Sequence, residues 1–347
     1  MSRVDVIVVG AGPAGCAAAI SCLQGGLTCM IINREQTIWH QPGETLHPGI
    51  ESLFQQLGVD QRVNNSNFFR HEGIWIKWNH ELKFSPYGKV NDKSWFGYQI
   101  PRIDLNTILL NRVIELGGII LEERVSEAIF LNQKVQGIRT EKNDYFSTYV
   151  IDASGYHRWL IKDLKIPVDI YSPPLLAQFG YSHGILNSEL PFPQIEAVNH
   201  GWIWSAKITS SVYAWIRLYW EKSKLIREFV PDVLINLETI GRTRTIDVTW
   251  RLNRRLCGNG FFIVGDAASI LDPAASSGVL HSIMSGIMVG YLIHANLRRG
   301  LSEEVVGKYY TDWYREYFSK RSKGLLSFYL EHFNPPAWNN YNTAILT

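Results

Sequence analysis

Two glycine-rich stretches lie far apart in the chain, each where an apolar strand would hand over to a helix. Gly10-Ala11-Gly12-Pro13-Ala14-Gly15 directly follows the run Val4-Asp5-Val6-Ile7-Val8-Val9. In such a turn Gly10 permits the tight bend and Gly12 lets the backbone approach a pyrophosphate. Gly15 lets the helix pack close to the sheet, with Ala14 in its first turn. The helix start adds free N–H groups and a positive dipole end, which together seat phosphates. The second stretch is Ile263-Val264-Gly265-Asp266-Ala267-Ala268, continuing through Asp272-Pro273-Ala274-Ala275-Ser276-Ser277-Gly278. Gly265 and Asp266 end a strand, and Asp266 offers a carboxylate to a sugar hydroxyl. Pro273, Ser277 and Gly278 open a helix whose start suits a negatively charged ring. Asn33 closes the second strand run, Cys29-Met30-Ile31-Ile32, where a dinucleotide fold places an acid on the ribose. An amide holds a hydroxyl more weakly than a carboxylate does, and the neighbouring Arg34 would suit a ribose phosphate. For proton transfer the candidates are Glu44, His47 and His71, since an unperturbed imidazole titrates at about 6.5.

The elements that must position these residues follow from periodicity. Residues 4–33 read as a strand–helix–strand unit, followed by a loop at 36–50 rich in Pro, Gly and His. A helix is expected at 49–57, ending at Gly58, and another from Ile103 to Leu116, ending at Gly117-Gly118. Alternation at 73–78 reads as antiparallel strand, and 119–150 as strands leading into Val150-Ile151-Asp152. Residues 165–250 look mostly like strand, with a helix near 221–238. A buried strand at Phe261-Phe262-Ile263-Val264 precedes a long helix from about 277, and helices fill most of 302–332. The uncharged run Ser277–Leu297 is long enough to span a membrane. Its two histidines, its glycines and serines, and its place after a glycine-rich turn predict a core helix instead.

The order of these motifs resembles that of FAD-dependent monooxygenases of the para-hydroxybenzoate hydroxylase fold: glycine loop, Ile151-Asp152-Ala153-Ser154-Gly155, then Gly265-Asp266. Pro101-Arg102, opening a helix, is similar to that family's arginine near the FAD. Within the group, Gly43-Glu44-Thr45-Leu46-His47-Pro48 and Gly201-Trp202-Ile203-Trp204-Ser205 resemble two motifs of tryptophan-halogenase-like flavoproteins. The resemblance implies an α/β fold, with a Rossmann-like FAD domain interleaved with an antiparallel substrate-binding sheet and followed by a helical C-terminal tail. The implied segments are 1–72, 98–165 and 252–300 for FAD, 73–97 and 166–251 for substrate, and 301–347 for the tail. It also implies non-covalent FAD held by Gly10, Gly12, Ala14, Gly15, Asn33, Arg34, Arg102, Gly265, Asp266, Pro273, Ser277 and Gly278. Reductant would come from NAD(P)H or a separate flavin reductase. Trp202 and Trp204 would line an aromatic pocket.

Flavin halogenases of this kind use a lysine, lying shortly before a Gly and a strand after the Gly-Glu loop. The matching stretch here, Phe68-Phe69-Arg70-His71-Glu72-Gly73, carries His71 in that slot, and the Gly-Trp-x-Trp motif continues Ser205-Ala206-Lys207 without its usual proline. The resemblance therefore favours hydroxylation of an indole or phenol through a flavin hydroperoxide. A subgroup that hydroxylates a tryptophan within a protein is a candidate parallel, and its protein substrate would then be the partner. Alternatives are a halogenase, a flavin-dependent isoprenoid reductase and an inactive flavin-binding scaffold.

Composition sets outer bounds. The chain has 347 residues, 34 Lys+Arg against 32 Asp+Glu, and a formal charge of +2, so nothing calls for nucleic acid as a partner. Cys16, Cys22, Cys29 and Cys257 lack zinc-ligand spacing and read as reduced thiols, with no metal site. No secretory leader is recognisable at the start, which makes the cytoplasm the expected address. Phe328, Tyr329, Phe333, Trp338 and Tyr341 crowd the C-terminal segment around Asn334-Pro335-Pro336, so an extended, docked tail is expected there.

Overall fold

A mostly parallel sheet carries the dinucleotide motifs, and an antiparallel sheet is threaded between its segments. The computed structural model describes residues 3–34, 42–79, 81–90, 93–186 and 192–338. The final aromatic Tyr341 and part of the loop expected at 36–50 lie outside these residues. Seven helices are described: α1 (Pro13–Gln24), α2 (Ile50–Leu57), α3 (Asp60–Asn65), α4 (Arg102–Glu115), α5 (Trp159–Asp163), α6 (Gly278–Arg299) and α7 (Glu303–Leu330).

In the first sheet the parallel strands run in the order Ile119–Glu122, Cys29–Asn33, Val4–Val9 and Asp144–Asp152, with Phe261–Ile263 beyond. The apolar run at Val4–Val9 forms a strand covered on both faces, as a parallel sheet between helices requires. The start of Asp144–Asp152 turns to antiparallel pairing with Lys134–Thr140, which pairs with Val125–Leu131. The C-terminal ends of strands 4–9, 144–152 and 261–263 therefore lie side by side, and they deliver Gly10, Ala153 and Gly265 to one edge.

Helices α1 and α6 cross there at backbone contact. A Cβ on Gly286 would lie 2.3 Å from the Ala14 carbonyl oxygen, and one on Gly290 would lie 2.5 Å from Ser21 Cβ. Ser21 Oγ closes the contact by donating to the Ile287 carbonyl at 3.2 Å. Although α6 has the length and mean hydropathy of a membrane span, 61% of its apolar window is buried inside the protein. It is a core helix.

The second sheet has seven strands, ordered Glu238–Asp247, Leu176–His183, Val212–Tyr219, Gly201–Lys207, Gln194–Val198, Gly73–Lys77 and Leu82–Pro86. All its pairings are antiparallel except Gln194–Val198 with Gly73–Lys77. Helix α7 buries Tyr310, Tyr314, Phe318, Ser322, Leu325 and Tyr329, spaced three or four residues apart so that they form one stripe.

The expected helix at 221–238 does not form; the segment holds only two 3-10 turns, Lys222–Lys224 and Asp232–Leu234. Side chains from the sheet capture its backbone instead. Gln178 Nε2 donates to the Ile226 and Arg227 carbonyls at 2.8 and 3.3 Å, and Pro231 denies its predecessor the helical region. The helices expected over 302–332 are one continuous helix, α7.

Candidate functional site

The glycine loop is held open by contacts that tolerate only glycine. Gly10 has φ +112°, and a Cβ there would lie 2.4 Å from the Ala153 carbonyl oxygen; one on Gly15 would lie 2.0 Å from the Gly10 oxygen. Around Gly12 the reverse holds. A Cβ there meets nothing within 4 Å, so the loop faces open space, and α1 starts without a side-chain cap. Ala14 sits in that first turn. Asn33 Oδ1 accepts from Ala11 N at 3.2 Å, so its carbonyl oxygen braces the loop and only its NH2 is left to donate to a ribose oxygen. Arg34 turns to His157, with Nη2 and Nε2 2.5 Å apart, above a shallow cavity of about 270 Å³ lined by Arg34, Glu122, Glu123, Arg124, Glu141 and Lys142. Asp152 ties this edge together, accepting from Ser154 N and Leu160 N at 2.9 Å each.

Across the cleft, Gly265 has φ +58° and is anchored by Ser285 Oγ and Tyr314 Oη, both at 3.0 Å. Asp266 is exposed, yet protein surrounds its carboxyl closely enough to push its pKa up, an effect that Arg102 and Arg251 oppose. A group both accessible and hemmed in lines a concavity. Pro273 lies in a 3-10 turn capped by Asp272, Ser277 is the N-cap position of α6, and Gly278 again faces open space.

Arg102 joins the two halves. Its Nη1 donates to the Pro42 carbonyl at 3.2 Å and packs on Gly43, while its buried Nε has no partner. Burial pulls the guanidinium pKa down, and Glu44, Asp266 and Tyr181 act against that. A flavin dinucleotide fits this set: open glycines at two uncapped helix starts, an accessible carboxylate between them, and a buried arginine N–H in need of an acceptor.

The proton-transfer candidates lie on a small sheet beside this cleft. Strand Gly97–Gln99 pairs with Thr45–Leu46 on one side and Phe69–His71 on the other. The structure thus brings Glu44, His47 and His71 together from separate segments. Glu44 is 2% exposed, and burial raises its pKa to about 7 despite the Tyr181 hydroxyl, which donates to Oε1 at 2.5 Å. His47 and His71 flank the Tyr87 ring, with centroids 5.1 and 5.4 Å away. Burial lowers both imidazole pKa values, so both rings are neutral at pH 7. Their partners fix opposite tautomers. His47 Nδ1 accepts from Gly49 N at 3.0 Å, which leaves its Nε2 protonated. His71 Nδ1 faces the Gly73 carbonyl at 3.1 Å and so carries the proton of the neutral ring, with the Tyr98 backbone also against the imidazole; its buried Nε2 makes no hydrogen bond of ordinary geometry.

The tryptophan motif lies deeper. Trp202 has no exposed surface, and its Nε1 donates to Tyr329 Oη at 2.8 Å; Trp204 is 8% exposed. Lys77 is paired with Glu196 at 2.6 Å, and Lys207 lies over the Phe69 and Tyr213 rings. The side chains that hold these groups include Tyr181 on Glu44, Tyr329 on Trp202, and Asp272, which caps the turn before α6 and accepts from Trp250 Nε1. Of these only Asp272, ahead of a proline in a capping position, carries a local signal in the sequence.

Residues 3–216 match the FAD binding domain family. The tryptophan 2-halogenase of Chondromyces crocatus is 23% identical over 94% of this chain and 68% of its own length. Among solved structures, the myxobacterial chondrochloren halogenase superposes with a TM-score of 0.86 at 22% identity, covering 100% of this chain and 86% of that one. The peptidyl tryptophan dihydroxylase of tryptophylquinone cofactor biogenesis superposes with a TM-score of 0.72 at 16% identity, covering 96% and 76%.

Proposed function

The chain belongs to the FAD binding domain family and is a flavin-dependent oxidoreductase that binds FAD; we propose that it is a monooxygenase hydroxylating an electron-rich aromatic ring, an indole or a phenol. The observation that carries this reading is His71. It stands in the slot where the resemblance places a halogenase lysine, and it is a neutral, buried imidazole. Neither nearby lysine occupies that slot: Lys77 lies one strand on, ion-paired with Glu196, and Lys207 is on another strand, 5.9 and 6.0 Å from the Phe69 and Tyr213 ring centroids. A compact ammonium suited to holding an oxidised halogen is therefore missing from this slot.

FAD supplies the electrons and the activation of O₂. The net change is insertion of one oxygen atom into an aromatic C–H bond, with the other leaving as water at the expense of two electrons and two protons. This chain's residues orient and move protons. The glycine loop and Arg102 would hold the phosphates, Asp266 would take a ribityl hydroxyl, and the uncapped start of α6 would offer its N–H groups to the flavin ring. The imidazole of His71 accepts a proton, His47 Nε2–H donates one, and Glu44 stores one near neutral pH. On this reading FAD occupies segments 1–72, 98–165 and 252–300, and substrate meets 73–97 and 166–251. A tryptophan inside a partner protein is the preferred substrate form, supported by the likeness in fold to the peptidyl tryptophan dihydroxylase.

The experiment incubates the protein with reduced FAD, O₂, chloride or bromide, and a panel of indoles, phenols and tryptophan peptides. Mass spectrometry should find products that gain one oxygen. Catalytic formation of a chlorinated or brominated product would refute the reading and restore the halogenase alternative, which the Chondromyces crocatus relative supports.

A further inference from the structure

Two buried side chains from distant parts of the chain bond one carboxylate, and two more buried tryptophans stand behind them. Asp272 is 1% exposed; its Oδ2 accepts from Trp250 Nε1 at 2.5 Å and its Oδ1 from Ala274 N at 3.0 Å. Tyr329, with no exposed surface on the last turn of α7, donates its hydroxyl to the same carboxylate. That hydroxyl in turn accepts from Trp202 Nε1 at 2.8 Å. The Trp338 ring covers the group, with centroids 4.8 Å from Trp250 and 5.8 Å from Tyr329. A buried carboxylate persists only when donors surround it, and here three do.

Asp272 is also the N-cap of the turn Pro273–Ala275, which runs through Ser276, at φ +45°, into Ser277 and the start of α6. The strand motif at Trp202, the end of α7 and the approach to α6 therefore share one hydrogen-bonded line. We propose that Trp202 and Tyr329 are positioning residues for the α6 N-terminus, acting in series through Asp272. Trp202 then serves the flavin by its indole N–H rather than by presenting its ring to substrate. The proposal rests on the reading that the start of α6 faces the flavin.

Series action has a signature that packing alone lacks. Tyr329→Phe withdraws a donor from Asp272, so the turn is held less firmly and the carboxylate charge is less neutralised. Burial already raises the Asp272 pKa to about 6 and losing this donor raises it further, so the titration is run at pH 9, where the carboxylate remains charged; its unneutralised charge beside a reduced flavin then disfavours the flavin anion, and the midpoint potential should fall. FAD binding should weaken about three- to tenfold, the range for losing part of one charge-assisted hydrogen bond. Trp202→Phe should shift the potential the same way but less. In the Tyr329→Phe background it should add nothing, because its route is cut.

The test is a spectroscopic redox titration of the flavin-loaded protein, together with FAD dissociation constants from fluorescence. The panel is wild type, the two single variants, the double variant, Asp272→Asn and Gly278→Val. Asp272→Asn removes the negative charge and should move the potential upward, opposite to Tyr329→Phe; it keeps the question answerable if Tyr329→Phe does not fold. Additive shifts in the double variant, or an unchanged potential in Tyr329→Phe or Asp272→Asn, would overturn the relay. Gly278→Val reports on the reading beneath it. Its side chain enters open space, so undiminished FAD affinity there would overturn the placement of the flavin, and the relay with it.

Discussion

Replacing Glu44 by Gln should make the protein more stable at alkaline pH, although it removes a buried hydrogen-bonded carboxylate. Burial raises the Glu44 pKa from 4.5 to about 7, against the pull of Tyr181 and Arg102. Below pH 4.5 the carboxyl is protonated in both the folded and unfolded chain, and nothing is lost. As pH rises from 4.5 to 7 the unfolded chain releases this proton first, so the folded state holds more protons and stability falls. Above 7 both states have released it, and the full cost of a buried anion remains. At 1.36 kcal/mol per pK unit, the loss between pH 5 and pH 8 comes to about 2.5 kcal/mol. Gln keeps the shape and cannot ionise. The difference in unfolding free energy, Glu44→Gln minus wild type, should therefore grow by about 2.5 kcal/mol over that interval. Urea unfolding of the two proteins at pH 5, 6.5 and 8, without added FAD, measures it. A difference that stays flat with pH, or shrinks as pH rises, would refute a raised Glu44 pKa and remove Glu44 as a proton store.

Gly12→Val should fold with little change in melting temperature in the absence of FAD, because a Cβ there meets no protein atom within 4 Å, yet it should purify colourless; a yellow Gly12→Val protein would place the pyrophosphate elsewhere. Lys77→Ala and Lys207→Ala should each retain most of the substrate-dependent oxygen uptake, and loss of turnover in either would reinstate a catalytic lysine. Truncation after Trp338 should leave FAD bound, whereas Trp338→Ala, emptying a site that is 7% exposed, should cost about 3 kcal/mol in urea unfolding. Equal stability of wild type and Trp338→Ala would show that the tail contributes nothing to the core.

Much of the dinucleotide-binding edge was legible because its requirements are local. Gly10 and Gly15 stand where a Cβ would strike backbone, and that demand shows directly as glycine after an apolar strand. The helix at 103–116 and the long helix from 277 were legible for the same reason: period and end signals suffice. The segment at 221–238 was not, because its fate is decided by Gln178, a residue of another strand that takes its carbonyls. The position of Asn33 at the strand end points to a ribose ligand, but which end of its amide is free depends on Ala11 N, which only the folded loop reveals. The Tyr181–Glu44 and Trp202–Tyr329 bonds join residues 137 and 127 positions apart, and nothing local to a tyrosine in a strand or on a helix announces such a partner.

The histidines illustrate how much chemistry can rest on backbone contacts one or two residues away. Residue type alone makes His47 and His71 interchangeable bases. Gly49 N–H and the Gly73 carbonyl oppose their tautomers, so one ring offers a proton and the other a lone pair on either side of Tyr87. Burial keeps both neutral, and a neutral donor–acceptor pair can relay a proton without building up charge in a low-dielectric pocket. Hydroxylation of an aromatic ring has to remove the proton displaced by the incoming oxygen. Transfer of an oxidised halogen, on the lysine mechanism, needs a fixed cation instead. On the proposed reading this pair supplies the first requirement and lacks the second, so a histidine rather than a lysine at position 71 is what favours hydroxylation, and the flavin-binding edge does not depend on it.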